Sequence, residues 1–162
     1  MSTIIKTARF QTLQVQPDKV FSFPQGLIGF ESYRDFVLID RANKSLFFWL
    51  QSFSHPDLCF LLIESAKVLD SYKPVLSKED NAFLQIKNGS EISFLSLVTV
   101  EDESHENIFI NLKSPIALNP ESRIGRQIIL DEDCYPVRYP LKNLSNHSKT
   151  SKILETAVIK MK

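Results

Sequence analysis

Histidine and cysteine are the nitrogen and sulfur ligands that this chain could offer a metal ion. They occur at His55, Cys59, His105, Cys134 and His147. Zinc-type sites usually carry Cys-x-x-Cys pairs or histidine pairs at ligand spacing, and this chain has neither. His55 and Cys59 are four residues apart, but the intervening proline and the strand-like pattern argue against a shared helix face. The sequence therefore predicts no metal site and no cofactor.

Nucleophilic catalysis would require an activated side chain, and Cys134 is the candidate. A cysteine nucleophile needs a neighbouring base and an orienting acid, and no motif around Cys134 supplies them. Asp131, Glu132 and Asp133 precede it. They are typical of a solvated turn, because nothing in the sequence indicates the burial that shifts a carboxyl pKa for acid–base work. We expect no enzymatic activity.

An acidic stretch at 101–106 (EDESHE) has four acids in six residues. One interpretation is the solvated tip of a β-hairpin between two alternating apolar runs. The other is a docking surface for a basic partner, since complementary charge accelerates encounter and favours that partner. Both interpretations stay open on the sequence alone.

The charge balance describes the partners more than the fold. Among 162 residues, 19 are basic and 19 acidic. From Lys142 onward there are five lysines and one glutamate, a net +4, which leaves 14 basic and 18 acidic residues, a net −4, in the preceding chain. An acidic body argues against a dedicated nucleic-acid binder.

Length and cysteine usage indicate one domain with a substantial core in a reducing cytoplasm. The two cysteines are too few for a disulfide framework. The first residues lack the apolar segment of a secretory signal, and the longest apolar runs, about six residues, are far too short to span a membrane.

The stretch 23–31 (FPQGLIGFE) contains two of the four glycines of the chain. Pro24 has no N–H for a sheet, and Gly26 and Gly29 can adopt a positive φ. The spacing Gly-x-x-Gly lacks the lysine and hydroxyl residue of a phosphate-binding loop. We predict a tight turn between two strands, buried against the core by four apolar side chains: Phe23, Leu27, Ile28 and Phe30.

Apolar runs and alternations predict a mainly β fold. The predicted strands cover residues 8–15, 20–23, 35–40, 46–53, 58–64, 92–100, 108–112 and 124–130. Three of them, between residues 35 and 64, are joined by short polar turns and predict a central antiparallel meander. A short apolar run at 116–118 lies between two turns, and Gly125 is a candidate bulge position.

Two helices are predicted. One covers 77–86, with Ser77 as N-cap, acids in its first turn and Gly89 near its C-cap. The other begins near Ser151 within a basic extension, residues 142–162, that follows the predicted domain 1–141. Its apolar face is formed by Ile153, Leu154, Ala157, Val158 and Met161, and it could contact an acidic partner, a membrane surface or its own domain.

Taken together and in order, seven segments resemble the FliW family of bacterial flagellar assembly factors, over roughly residues 8–141. They are residues 23–31, 36–40 (FVLID), 48–52 (FWLQS), 57–63 (DLCFLLI), 111–123 (NLKSPIALNPESR), 125–130 (GRQIIL) and 135–141 (YPVRYPL). Within them we expect a structural role for Phe23, Pro24, Gly26, Gly29, Phe30, Trp49, Asn111, Pro115, Asn119, Pro120 and Gly125.

The resemblance implies a compact antiparallel β-barrel-like domain without catalysis. Members of this family bind the translational repressor CsrA and stop it silencing flagellin mRNA. They also bind flagellin itself, so that accumulated flagellin frees the repressor and lowers flagellin synthesis. The implied protein is a cytoplasmic regulator that exchanges partners.

The residues that would contact these partners are a hypothesis drawn from charge. We expect Glu101, Asp102, Glu103 and Glu106 to engage the basic repressor. Two alternatives remain: a flagellin-binding chaperone without control of the repressor, or a small RNA-binding module whose tail lysines and exposed aromatics contact single strands. The extension after Leu141 lies beyond the family motifs.

Overall fold

The computed structural model describes residues 1–40, 46–102, 107–131, 133 and 135–141. The predicted C-terminal helix, the extension 142–162 and the connection 41–45 lie outside these residues. The strands are β1 (Thr3–Thr7), β2 (Gln11–Val15), β3 (Val20–Ser22), β4 (Asp35–Ile39), β5 (Phe47–Ser52), β6 (Cys59–Glu64), β7 (Ser93–Val100), β8 (Ile108–Ile110), β9 (Ile116–Asn119), β10 (Ile124–Gln127) and β11 (Tyr139–Pro140). The helices are α1 (Ser65–Val68) and α2 (Lys78–Phe83), and a 3-10 turn spans Pro17–Lys19.

The predicted mainly β fold is confirmed, and its centre is a closed barrel. Strands β7, β6, β5, β4, β3, β10 and β9 pair in that order, and β9 returns to pair with β7. The predicted meander is its β4–β5–β6 part, with antiparallel registers such as Leu38 opposite Leu50 and Leu50 opposite Phe60. Among the strand pairings of the described residues, β10 and β3 form the parallel pair and the other pairs are antiparallel.

Alternate residues of the barrel strands fill its interior. Phe36, Leu50, Leu62, Leu95 and Ile116 come from five strands, are almost fully buried and belong to one cluster. Their neighbours in sequence point outward, which is the two-residue period of a strand. Seven strands leave an interior just wide enough for such side chains, so the barrel is a packed core.

A second core covers the outer face of β5, β6 and β7. Trp49, Leu61, Ile110, Leu84 and Tyr72 belong to it, the last three coming from β8, from the residue after α2 and from the segment between the helices. A third, small cluster packs the β1–β2 hairpin on β4 through Ile5, Val15 and Val37. The outer layers therefore bury the apolar positions that face away from the barrel interior.

The first predicted strand, residues 8–15, is wrong in its bounds. The structure has a hairpin of β1 and β2 instead, with Thr7 opposite Gln11. The Thr7 hydroxyl oxygen accepts from the Phe10 N–H at 2.8 Å and donates to the Gln11 carbonyl at 3.1 Å. Gln11 has φ +60. The turn is thus made by a side chain and a left-handed glutamine, without the glycine or proline that usually indicates one.

The predicted helix at 77–86 begins as expected and ends early. Ser77 caps α2 through a reciprocal pair with Asp80: the Asp80 N–H donates to the Ser77 hydroxyl at 3.0 Å, and the Ser77 N–H to the carboxylate at 3.2 Å. The helix ends at Phe83, and Gln85 has φ +55. Gly89 is therefore not its C-cap and lies in a separate turn. Helix α1 was not predicted.

The last predicted strand, residues 124–130, is shorter in the structure. β10 ends at Gln127, although the Ile128 and Leu130 N–H groups continue to donate to the Pro115 and Lys113 carbonyls; Pro115 has no N–H with which to complete the ladder. The pairing of β10 with β9 is one-to-one across Gly125. Gly125 therefore does not mark a bulge. A glycine stands at this position because the Phe23 ring leaves no room for a side chain.

Candidate protein-binding surface

The acidic end of the β7–β8 hairpin contains two of the four predicted partner-binding acids, Glu101 and Asp102. The Glu101 N–H donates to the Asn107 carbonyl at 2.9 Å and closes the hairpin. Glu103 and Glu106 lie outside the described residues. The two described acids are exposed or nearly so, and both are engaged by the chain itself.

Arg138 is the counter-charge of this acidic end. Its guanidinium donates to the Glu101 carboxylate and lies 4.0 Å from the ring centre of Phe109. This hydrogen bond lowers the pKa of Glu101 and raises that of Arg138. The Asn107 side chain donates to Asp102. Glu101 is thus partly neutralised, and Asp102 contributes the clearer negative charge at this end.

The loop at 23–31 is built as tightly as predicted around Phe23 and Gly26. Phe23 is fully buried and meets Phe36 edge to face, with ring centroids 5.3 Å apart. Gly26 has φ +64, and a Cβ there would lie 2.6 Å from the Glu31 Cα. Gly29 has φ +87 with open space around it. Both glycines are required by the backbone, and Gly26 also by the close approach of the chain.

Two apolar residues of this loop are not buried as predicted. Ile28 is 54% exposed and Phe30 37% exposed. Phe30 keeps one edge-to-face contact, to Phe60 at 5.0 Å. The Ile28 N–H donates to the Gln127 side-chain oxygen at 2.9 Å, and the Gly29 N–H to the Glu31 carboxylate at 2.9 Å. The latter bond lowers the pKa of Glu31. The loop therefore presents Ile28 on a fixed backbone.

Three of the remaining residues expected to be structural lie in turns or at buried positions, and Pro115 and Pro120 flank β9. Asn119 is buried and donates to the Leu84 carbonyl at 2.8 Å, which ties the end of α2 to β9. The Asn111 side chain accepts from the Ser114 N–H at 3.0 Å and makes a local turn. Pro115 is buried and Pro120 exposed.

Trp49 and Gly125 complete this set. Trp49 lies in the second core under the Arg9 guanidinium, which is 4.2 Å from its ring centre. At Gly125, a Cβ would lie 2.4 Å from the Phe23 ring. The glycine therefore makes room inside the barrel for the buried phenylalanine.

Residues that could support metal or nucleophile chemistry are not assembled in the described part of the chain. No group of three or more histidine, cysteine or acidic residues there could hold a metal ion. His55 contacts the Tyr33 ring, with centroids 5.3 Å apart. Burial raises the pKa of the Cys59 thiol to about 12, against the opposing effect of Arg9. His105, Cys134 and His147 lie outside the described residues.

A groove that the sequence did not indicate lies beside the 23–31 loop. We call it the apolar groove and define it by Ile28, Val75 and Ile129, with Asp80, Arg126 and Asp131 also lining it. It is an open groove of about 570 Å³, lined by polar as well as apolar side chains. Its three apolar residues come from segments far apart in sequence, and no local pattern links them. Val75 follows a proline, and Ile129 falls within the predicted strand 124–130.

The described residues contain no helix that is both long and apolar enough to cross a membrane.

The barrel, its outer layers and these two surface features define a class: a small closed β-barrel protein with an acidic hairpin end and a groove on its surface. A sequence model of the FliW protein family matches residues 3–141. The chain belongs to the FliW family.

Its relatives are named as flagellar assembly factors and not as enzymes. The flagellar assembly factor FliW of Carboxydothermus hydrogenoformans is 39% identical over 132 residues, which is 82% of this chain and 84% of that protein. That of Leptospira interrogans serovar Lai is 34% identical over 161 residues, 99% of each chain. A crystal structure of a flagellar assembly factor FliW superposes with a TM-score of 0.79 at 27% identity, covering 88% of this chain and 99% of that one.

Proposed function

We propose that this chain is a non-catalytic regulator of flagellin synthesis in the cytoplasm. It binds and antagonises a CsrA-type translational repressor and is itself sequestered by flagellin. Residues 1–141 form the binding domain, and residues 142–162 form a basic extension to it.

The family match over residues 3–141 is the observation that carries this proposal. The relatives are named for flagellar assembly, and their names imply no reaction. The proposal is also consistent with the described residues, whose polar groups mostly serve turns, caps and strand connections. A protein of this kind acts by binding one partner in place of another.

The acidic end of the β7–β8 hairpin supports a basic partner. Glu101 and Asp102 stand together at the end of β7, and Glu103 and Glu106 follow in the sequence. A repressor that binds RNA needs a positive surface, which this acidic end would attract and could compete for. Partner exchange then needs two linked equilibria, because flagellin binding depletes the form available to the repressor.

Titration calorimetry with the purified full chain tests the proposal directly. The ligands are the flagellin and the CsrA-type regulator of the same genome, added separately and then in competition. We expect binding of each, and a repressor–RNA gel shift that the chain reverses until flagellin is added. Binding of flagellin without any effect on the repressor would favour the chaperone alternative. A shift of RNA by the chain alone would favour the RNA-binding alternative.

A further inference from the structure

The apolar groove concentrates exposed apolar surface at one place. Three of the large apolar side chains that are exposed in the described residues line it: Ile28 at 54%, Val75 at 70% and Ile129 at 64%. Scattered apolar side chains on a surface are normal, whereas several that converge on one groove indicate a binding site.

The backbone of the groove is fixed by hydrogen bonds at Ile28. Gln127 accepts from the Ile28 N–H at 2.9 Å and donates to the Ser114 carbonyl at 3.2 Å. The side chain of Gln127 therefore links the 23–31 loop to the segment before β9. The loop backbone also packs closely on itself at Gly26, where a Cβ would lie 2.6 Å from the Glu31 Cα, and Ile28 lies exposed in this loop.

The charge of the groove is negative. Its cation, Arg126, is 3.1 Å from Asp80 and 3.0 Å from Glu79, and its guanidinium lies over the Phe83 ring at 4.4 Å. These three charges sum to −1, and Asp131 adds another negative charge. An occupant that matches this surface is apolar on one side and carries lysine or arginine.

We propose that the C-terminal segment of this same chain, residues 151–162, occupies the apolar groove. Its sequence SKILETAVIKMK combines apolar residues with three lysines and one glutamate. The proposal goes beyond the regulatory function above and does not depend on it. A partner that uses the groove must displace this segment first.

The segment can reach the groove. The Tyr135 hydroxyl accepts from the Lys73 N–H at 3.0 Å, two residues before Val75. From there the chain runs along β8, and at Leu141 its N–H donates to the Ile108 carbonyl at 3.0 Å. The nine residues from 142 to 150 then span about 30 Å when extended. This length is comparable with the width of a domain of this size.

The size of the groove favours a tethered occupant over a separate protein. A stable interface between two proteins buries about 1,200–2,000 Å², far more than three half-exposed side chains provide. A tethered segment is instead present at an effective concentration of about 1 mM, so that weak contacts suffice to keep it bound.

Methyl NMR of the full chain with a water-soluble paramagnetic probe tests the proposal. The relaxation that the probe adds at the isoleucine δ1 methyls reports how exposed each one is. The test variant carries Ile153→Ser, Leu154→Ser and Val158→Ser. The control variant carries Leu144→Ser, which lies in the same extension before the proposed segment. Ile4, 69% exposed on β1, is the internal reference.

We expect the added relaxation at Ile28 and Ile129 to rise about threefold in the test variant, because a segment tethered at millimolar concentration otherwise covers the groove. Ile4 and the control variant should not change. Equal relaxation at Ile28 and Ile129 in all three proteins would overturn the proposal. A protection that disappears on dilution would also overturn it, since the segment would then come from a second copy.

Discussion

The ring of Phe23 occupies the space that a side chain at Gly125 would need. A Cβ on residue 125 would lie 2.4 Å from the Phe23 Cζ and 2.8 Å from a Leu118 methyl. The two residues belong to segments about a hundred positions apart in the sequence and meet where β10 lies beside β3. This contact places one of the two fully buried phenylalanines of the barrel beside its parallel pair of strands.

Replacing Gly125 by alanine should therefore destabilise the fold by overpacking, by about 1–3 kcal/mol. The backbone at this glycine is not left-handed, so the loss is steric. Urea unfolding followed by tryptophan fluorescence measures it. The double variant Gly125→Ala with Phe23→Leu should recover part of the loss that the two single changes predict. A strictly additive result would contradict the steric explanation.

Gly26 and Gly29 separate the cost of a left-handed backbone from the cost of close approach. Both have a positive φ, but only Gly26 is crowded, by the Glu31 backbone. Gly29→Ala should reduce the free energy of unfolding by about 1–2 kcal/mol. Gly26→Ala should reduce it by about 3 kcal/mol or more, because the clash adds to the backbone strain. Equal losses in urea unfolding would mean that the loop relaxes around residue 26.

Much of the barrel could be predicted from the sequence because its strands are continuous apolar runs. The apolar runs at residues 47–52 and 59–64 predict strands without any tertiary information, and the turn between them contains a proline. The N-terminus of α2 was equally predictable, because the side chains of Ser77 and Asp80 can cap the first turn of a helix. Local patterns sufficed wherever the structure depends on local interactions.

The β1–β2 hairpin and the apolar groove were not predictable in the same way. The hairpin turn depends on the Thr7 hydroxyl and on a left-handed Gln11, neither of which is a common turn signal. Ile28 is exposed in a loop whose backbone is bonded to Gln127, 99 positions later. An apolar loop residue is ordinarily read as buried, and only the tertiary contact reverses that interpretation.

Cys59 should be inert in the folded chain. Burial raises the pKa of its thiol from 9.0 to about 12, so the thiolate that reacts with alkylating agents is scarce at pH 8. In a Cys134→Ser background, iodoacetamide should label the chain slowly until urea unfolds it. Rapid labelling under native conditions would show that the thiol is accessible and ionised.

The raised pKa of the Cys59 thiol also predicts how the free energy of unfolding depends on pH. The unfolded thiol ionises near pH 9 and the folded thiol near pH 12, so the contribution of Cys59 to stability is complete below pH 9 and is lost as the pH rises through that window. Replacing Cys59 by alanine should flatten the decline between pH 9 and pH 11 in urea unfolding. If the free energy of unfolding declines equally in both proteins, titratable groups other than the Cys59 thiol cause the decline.

The acidic end of the β7–β8 hairpin should govern the rate at which a basic repressor associates. Glu101→Gln combined with Asp102→Asn should slow association about three- to tenfold at low salt and weaken its salt dependence, because long-range attraction acts mainly on encounter. Arg138→Gln should act in the opposite direction, since it removes the counter-charge of Glu101.

Glu91→Gln is the control for the loss of one negative charge: Glu91 is an exposed acid just before the start of β7, and Glu101 follows its end. Stopped-flow association of the CsrA-type regulator at two salt concentrations measures all four proteins. Glu91→Gln removes one charge and the double variant two, so if the double variant slows association only by the square of the factor found for Glu91→Gln, net charge alone is responsible and the hairpin end is not the docking surface.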